Sequence, residues 1–112
     1  MGLKIPERGD IIIYNFSPTK GHEQSGNRPA LVLSNYNYNS KMGGLILVCP
    51  ITNRERGYFF EVKFNTQKTK GIILSHQVTT IDYNARKIKI VDKIDAVLLK
   101  EVTDKINVLI EG

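Results

Sequence analysis

The segment Leu45–Ile51, LILVCPI, is apolar at nearly every position. A strand built from it has no polar face to turn to water, so it must be covered on both sides and lie at the centre of a sheet. Pro50 and Ile51 should close it, because proline has no amide hydrogen to give to a ladder. At 112 residues the chain has room for one core and not for two. Residues 1–112 are therefore expected to form a single domain organised around this strand.

The neighbours that such a strand needs are present. Asp10–Phe16 (DIIIYNF) and Pro29–Ser34 (PALVLS) read as strands. Tyr58–Phe64 (YFFEVKF) alternates, with Phe60, Val62 and Phe64 on one side and Phe59, Glu61 and Lys63 on the other. Gly71–Leu74, Val78–Ile81 and Arg86–Val91 are shorter candidates, and in the last Ile88 and Ile90 share a face. Many short strands separated by turn residues predict a mainly β fold, a small antiparallel barrel or sandwich. A short helical turn is expected at Tyr36–Lys41.

The period changes near the C-terminus. Ala96, Leu99, Val102, Ile106 and Leu109 recur at spacings of three and four, the apolar stripe of a helix over about residues 95–108. Asp92 or Asp95 can cap its start, and Glu101 and Lys105 stand at the favourable i,i+4 spacing. Val108, Leu109 and Ile110 should pack across the barrel or against a second subunit.

Composition narrows the function. Cys49 is the only cysteine, so neither a disulfide framework nor a cysteine zinc site can be built. It lies in the most apolar strand and reads as core, not as a catalytic thiol. His22 and His76 show no metal-ligand spacing, and no glycine-rich loop opens a helix, so no metal and no nucleotide cofactor is expected. No apolar stretch approaches the roughly 20 residues that cross a membrane, and no signal peptide is visible. A soluble, cytoplasmic protein is expected.

The net charge of +5 comes from 16 Lys and Arg against 11 Asp and Glu. Residues 54–93 hold nine of those cations and four of the anions, which accounts for the whole excess. A basic bias confined to part of a domain suits a polyanion partner, although a plain solvated surface has the same composition.

Eleven residues, Ser17–Asn27 (SPTKGHEQSGN), separate two of the strands. Hairpin loops are usually two to five residues long, and long loops on rigid scaffolds carry function. Polar residues at this and other strand ends, His22, Glu23, Gln24, Arg28, Thr52, His76, Gln77 and Arg86, suit metal-free phosphodiester chemistry on RNA. Such cleavage needs a base for the ribose 2′-OH, cations for the phosphorane and an acid for the leaving 5′-oxygen. Exposed tyrosines such as Tyr36, Tyr58 and Tyr83 would stack unpaired bases. These residue types are equally compatible with an RNA-binding module that cleaves nothing.

The same residues lie in a recognisable pattern. Pro6–Ser34, PERGDIIIYNFSPTKGHEQSGNRPALVLS, resembles the MazF/PemK (Kid) family of toxins from type II toxin–antitoxin systems. Further matches follow in register at Tyr38–Thr52, Gly57–Val62, Ser75–Arg86 and Lys105–Ile110. The resemblance implies an SH3-like antiparallel barrel with a C-terminal α-helix, assembled as a homodimer. It implies a sequence-specific, metal-independent endoribonuclease acting on single-stranded RNA, chiefly mRNA, and leaving 2′,3′-cyclic phosphate and 5′-OH ends. A MazE-like antitoxin would block the RNA groove, and operator DNA would be bound only through the antitoxin complex.

Carried over by position, Arg28 and Thr52 match the family's main catalytic pair. Arginine is almost never neutral, so Arg28 is expected to act electrostatically more than as a base. His22 matches a histidine to which one branch assigns acid/base work. Glu23, Gln24, His76, Gln77 and Arg86, with Arg54 and Arg56, are assigned to substrate binding. One position departs from the pattern. Where the family usually has Asp-Gln or Glu-Gln, this chain has His76-Gln77, and an arginine expected two residues earlier is Leu74. The family's tryptophan before Ala-Arg is also missing, replaced around Tyr83. Two alternatives stand beside the ribonuclease. One is a gyrase poison of the CcdB type, which shares the barrel; the other is a non-catalytic RNA-binding module.

Overall fold

The computed structural model describes residues 4–16 and 26–112. Seven strands and two helices follow in the order β1 (Asp10–Phe16), β2 (Gly26–Val32), α1 (Tyr36–Lys41), β3 (Leu45–Thr52), β4 (Glu61–Asn65), β5 (Lys70–Leu74), β6 (Thr79–Asp82), β7 (Lys89–Lys93) and α2 (Ala96–Glu111). The sheet is antiparallel in every pairing and runs β4-β5-β3-β2-β1-β7, with β6 also paired to β3. It curls into a half-barrel with α2 on one face.

The apolar segment is the central strand, and Val48, Cys49 and Ile51 are buried. It continues through Pro50 to Thr52, beyond the end its proline suggested. The proline is accommodated by a break on one edge of β3. Ile51 pairs with Ile73 of β5, and Val48 pairs with Thr79 of β6. Two residues of β3 thus face five of the opposite path, so three extra residues leave the ladder near Ser75–Gln77. Strand prolines are tolerated at such irregularities.

One face of the sheet gathers Ile11, Leu31, Cys49, Ile51, Val62, Phe64 and Ile73 under Val102 of α2, with Leu98, Leu99 and Ile106 packed alongside. Burying Val102 stabilises the fold by roughly 1.5–3 kcal/mol. The other face gathers Ile12, Ala30, Val32, Ile46, Val48, Ile81 and Tyr83, with Tyr14, Ile88 and Ile90 against them. Burial without a partner charge pushes the Cys49 thiol up to about 12, consistent with a core residue.

Several boundaries differ from the sequence reading. β2 starts at Gly26, so the last two residues of the long loop belong to a strand, and β7 starts three residues later than expected. Asp95 caps α2 by accepting from the Leu98 amide at 2.9 Å. Asp92 instead accepts from the Thr66 and Thr69 hydroxyls, tying the β4–β5 turn to β7. The i,i+4 ion pair formed along α2 is Lys100–Asp104 at 2.8 Å, while Lys105 donates to the Phe59 carbonyl and stands over its ring. Val108, Leu109 and Ile110 do not pack across the barrel; all three are exposed. Tyr83 is buried, not exposed, because it closes the second core. Among the described residues no helix is long and apolar enough to cross a membrane.

The Arg8-Gly9-Asp10 corner joins the N-terminus to the rest. Arg8 donates to the Thr103 hydroxyl of α2 at 2.7 Å. Gly9, at φ 98°, bonds both the Val32 carbonyl and the Ile94 amide, and a left-handed φ favours glycine there. Asp10 accepts from the Glu7 amide and from Lys93.

Candidate active site

Strand register places the site residues. Tyr14 of β1 lies directly opposite Arg28 of β2. β2 and β3 pair at Val32↔Val48, Leu31↔Cys49 and Ala30↔Pro50. Two residues further along each strand, that register sets Arg28 across from Thr52 on the same face. The ladder itself stops at Ala30–Pro50; Pro29 has no amide hydrogen with which to extend it. Thr52 in turn lies opposite Ile72 of β5, and Ile72 opposite Lys63 of β4. One transverse row, Tyr14–Arg28–Thr52–Ile72–Lys63, thus crosses five strands on one face. Neighbouring strands lie about 4.8 Å apart.

Arg28 is exposed and Thr52 half-buried. The Thr52 oxygen accepts from the Arg54 amide at 3.2 Å. That bond fixes the oxygen and leaves the hydroxyl hydrogen available to donate. Gly71 stands behind it. A Cβ on Gly71 would meet Ile51 Cγ2 at 2.8 Å and the Thr52 carbonyl at 3.1 Å, so β5 can approach Thr52 this closely only with glycine there. The loop after Thr52 is held by Glu61, whose carboxylate accepts from the amides of Arg56 and Gly57 at 3.0–3.2 Å.

Arg54 and Arg56 are exposed on that loop. Arg86 is half-buried on the other side of Arg28, where its carbonyl accepts from the Asn15 amide at 3.0 Å. The cations of residues 54–93 do not form one uninterrupted track. Lys93 lies at the far end of β1, bonded to Asp10 at 3.0 Å, and Lys63 pairs with Glu55 at 3.0 Å. What gathers near Arg28 and Thr52 is the subset Arg54, Arg56 and Arg86.

His76 and Gln77 fall in the break opposite Pro50. The His76 ring packs edge-on against Tyr58, with centroids 5.8 Å apart, and tilted against Phe60 at 5.6 Å. Its Nδ1 and the neighbouring Ser75 hydroxyl are buried without hydrogen-bond partners. Gln77 is exposed and its amide donates to the Leu74 carbonyl. His22, Glu23 and Gln24 lie outside the described residues. Among the described residues no group of His, Cys, Asp or Glu is arranged to hold a metal ion.

The sequence reading did not single out Tyr14 or Gly71 for the site, and it included Lys63 only as one of the cations of residues 54–93. Register puts Tyr14 and Lys63 on the row and the close approach of β3 singles out Gly71; nothing in the spacing of Tyr14 or Lys63 along the chain points to Arg28 or Thr52.

A family model described as PemK-like, MazF-like toxin of type II toxin–antitoxin system matches residues 7–110. The chain belongs to this toxin family. Among its relatives, the endoribonuclease toxin MazF of Escherichia coli (strain K12) is 42% identical over 106 residues, covering 95% of each chain. The endoribonuclease toxin ChpB of the same strain is 40% identical over 89 residues, covering 74% of this chain and 75% of that one. In the MazE–MazF crystal structure (Form-II) from Deinococcus radiodurans, the matching chain superposes with a TM-score of 0.89 at 37% identity over 96% of both chains. MazF (Form-I) from the same organism gives 0.83 at 36% identity, over 97% of this chain and 99% of that one. For a MazF/PemK-type toxin, the row through Arg28 and Thr52 is the natural place to look for chemistry.

Proposed function

We propose that the protein is an endoribonuclease toxin that cuts single-stranded RNA, chiefly mRNA, in a sequence-specific reaction needing no metal ion. The observation that carries this reading is the β2–β3 register, which, continued two residues past Ala30–Pro50, sets Arg28 across from Thr52 on one side of the sheet. In the proposed reaction the ribose 2′-oxygen attacks the adjacent phosphorus and loses its proton to a base. The P–O5′ bond breaks, and the 5′-oxygen leaves with a proton. The products are a 2′,3′-cyclic phosphate and a 5′-OH. Arg28 binds the non-bridging oxygens and offsets the charge that grows on them in the phosphorane; a planar fork of donors suits two such oxygens at once. Thr52 donates its free hydroxyl hydrogen to the same oxygens. His22, six residues before Arg28 in the chain, is the candidate proton carrier, since imidazole both gives and takes protons near neutral pH. Glu23, Gln24, Gln77, His76, Arg54, Arg56 and Arg86 hold the strand.

The E. coli relatives bear the name endoribonuclease toxin, and the Deinococcus relative is found with MazE. Both support the reading, which extends to a homodimer silenced by a MazE-like antitoxin and to operator DNA reached only through that complex.

The test is incubation of purified protein with a long RNA in EDTA. Cleavage is expected, with 5′-OH ends. Arg28→Ala and Thr52→Val should each lower the rate at least 100-fold, the scale of losing one oxyanion donor, with the melting temperature little changed. Intact RNA, or equal cleavage by Arg28→Ala, overturns the reading.

A further inference from the structure

Beyond Thr52 the transverse row continues into a cleft of about 470 Å³ that the proposed chemistry has not used. Its walls include Asn53, Glu55, Lys63, Asn65 and Lys70, and Gly71 forms part of its floor. A volume of this size lies within the range of small-ligand sites. Its position follows from the same ladders that place the site. Lys63 is opposite Ile72, and Ile72 is opposite Thr52. Lys63 is therefore two strand spacings, about 10 Å, from Thr52 along the row. Asn53 follows Thr52 in the chain, and Asn65 and Lys70 are paired across the β4–β5 turn.

The lining has the chemistry of a nucleotide. Two ammonium groups, on Lys63 and Lys70, suit a phosphate. Two carboxamides, on Asn53 and Asn65, each offer a donor and an acceptor to a base edge. Gly71 contributes backbone to the lining, and a Cβ there would press on Ile51 and on the Thr52 carbonyl of β3. All five polar side chains of the walls are exposed. Lys63 is engaged by Glu55 at 3.0 Å, but with side-chain exposures of 68% and 57% such a pair holds weakly. A phosphate can take the place of Glu55 on Lys63 at little cost.

We infer that this cleft is a nucleotide subsite. It takes one unpaired RNA nucleotide on the β4–β5 side of the scissile phosphate, with Lys63 and Lys70 on its phosphate and Asn53 and Asn65 on its base. The inference rests on the ribonuclease reading and adds to it a specificity determinant. Lys63 and Lys70 act in binding and not in the bond-breaking step. Asn53 and Asn65 set which base is accepted next to the cut.

The experiment compares wild type, Lys63→Ala, Lys70→Ala, Asn53→Ala, Asn65→Ala and Lys100→Ala. Lys100, on the outer side of α2, controls for loss of one positive charge. Cleavage sites on a long RNA are mapped by 5′-end sequencing, and kcat and KM are measured on a short RNA at several salt concentrations. Thermal melting checks that each variant folds. The lysine variants should raise KM about 5- to 50-fold with kcat within about threefold of wild type. Their salt slope should fall by about one phosphate's contribution. Asn53→Ala or Asn65→Ala should relax the base preference at one position beside the cut, which a merely structural defect would not do. Lys100→Ala should behave as wild type. If wild type cleaves but the four cleft variants keep its motif and its KM, the subsite is wrong and the ribonuclease reading stands. If wild type does not cleave, both fall together.

Discussion

Single side chains in this protein act through what their neighbours leave them free to do. In the proposed reaction Thr52 can serve a phosphate because the Arg54 amide occupies its oxygen and not its hydrogen. Thr52→Ser should therefore retain most of the cleavage that Thr52→Val loses, as read by initial rates. Cys49 is the opposite case, a reactive group made inert by its surroundings. Its thiol is pushed up to about 12 in the fold, against an ordinary value of 9.0. Its contribution to stability is whole below the unfolded value and is lost as pH rises towards the folded one. Denaturant titrations should show stability falling between about pH 9 and 12, by up to roughly 1.4 kcal/mol per pH unit from this group. Cys49→Ala should flatten that part of the profile. At pH 8 a thiol reagent should leave native Cys49 untouched and label it once the protein is unfolded. The sequence made Cys49 legible as core because every neighbour in its segment is apolar. His76 was not legible in the same way: its aromatic neighbours, Tyr58 and Phe60, are 18 and 16 residues away in the chain.

Among the elements, alternation identified most of the strands, but their ends were set by pairing. β7 begins at Lys89 because that is where it meets Ile13 of β1, and no propensity marks the place. The α2 stripe was legible from its period, whereas its cap was not. Asp92 and Asp95 were equal on spacing, and only the turn bonded to Asp92 decides between them. Asp95→Ala should cost about 1 kcal/mol and lower the melting temperature by several degrees while leaving cleavage intact. Gly71→Ala should behave differently. Its Cβ would press on Ile51 and on the Thr52 carbonyl, so activity measured below the melting transition should fall more than stability does. An equal loss in both would mean that β5 does not position Thr52.

For the whole molecule, charge is distributed by end. Arg28, Arg54, Arg56 and Arg86 flank one end of the β2–β3 strands, while Lys93 is engaged by Asp10 at the opposite end of β1. Net charge gave the size of the excess but could not divide it, because division depends on which strand ends come together. RNA affinity should fall steeply with salt, with a slope near −0.7 per phosphate neutralised. Binding that is flat from low to moderate salt would remove the basic end as the RNA surface. Reversing charge at Arg54 and Arg56 should reduce the slope, and Lys93→Ala should lower stability with little effect on the slope.

The break opposite Pro50 has a consequence for how such a protein can diversify. Three residues leave the ladder near Ser75–Gln77, and pairing resumes on each side with its own register. A change there, such as the histidine that stands at position 76, does not slide β5 against Thr52 or β6 against Val48. Side chains in that excursion can be exchanged while the Arg28–Thr52 geometry stays as it is. The fold thus separates a patch open to variation from the row through Arg28 and Thr52.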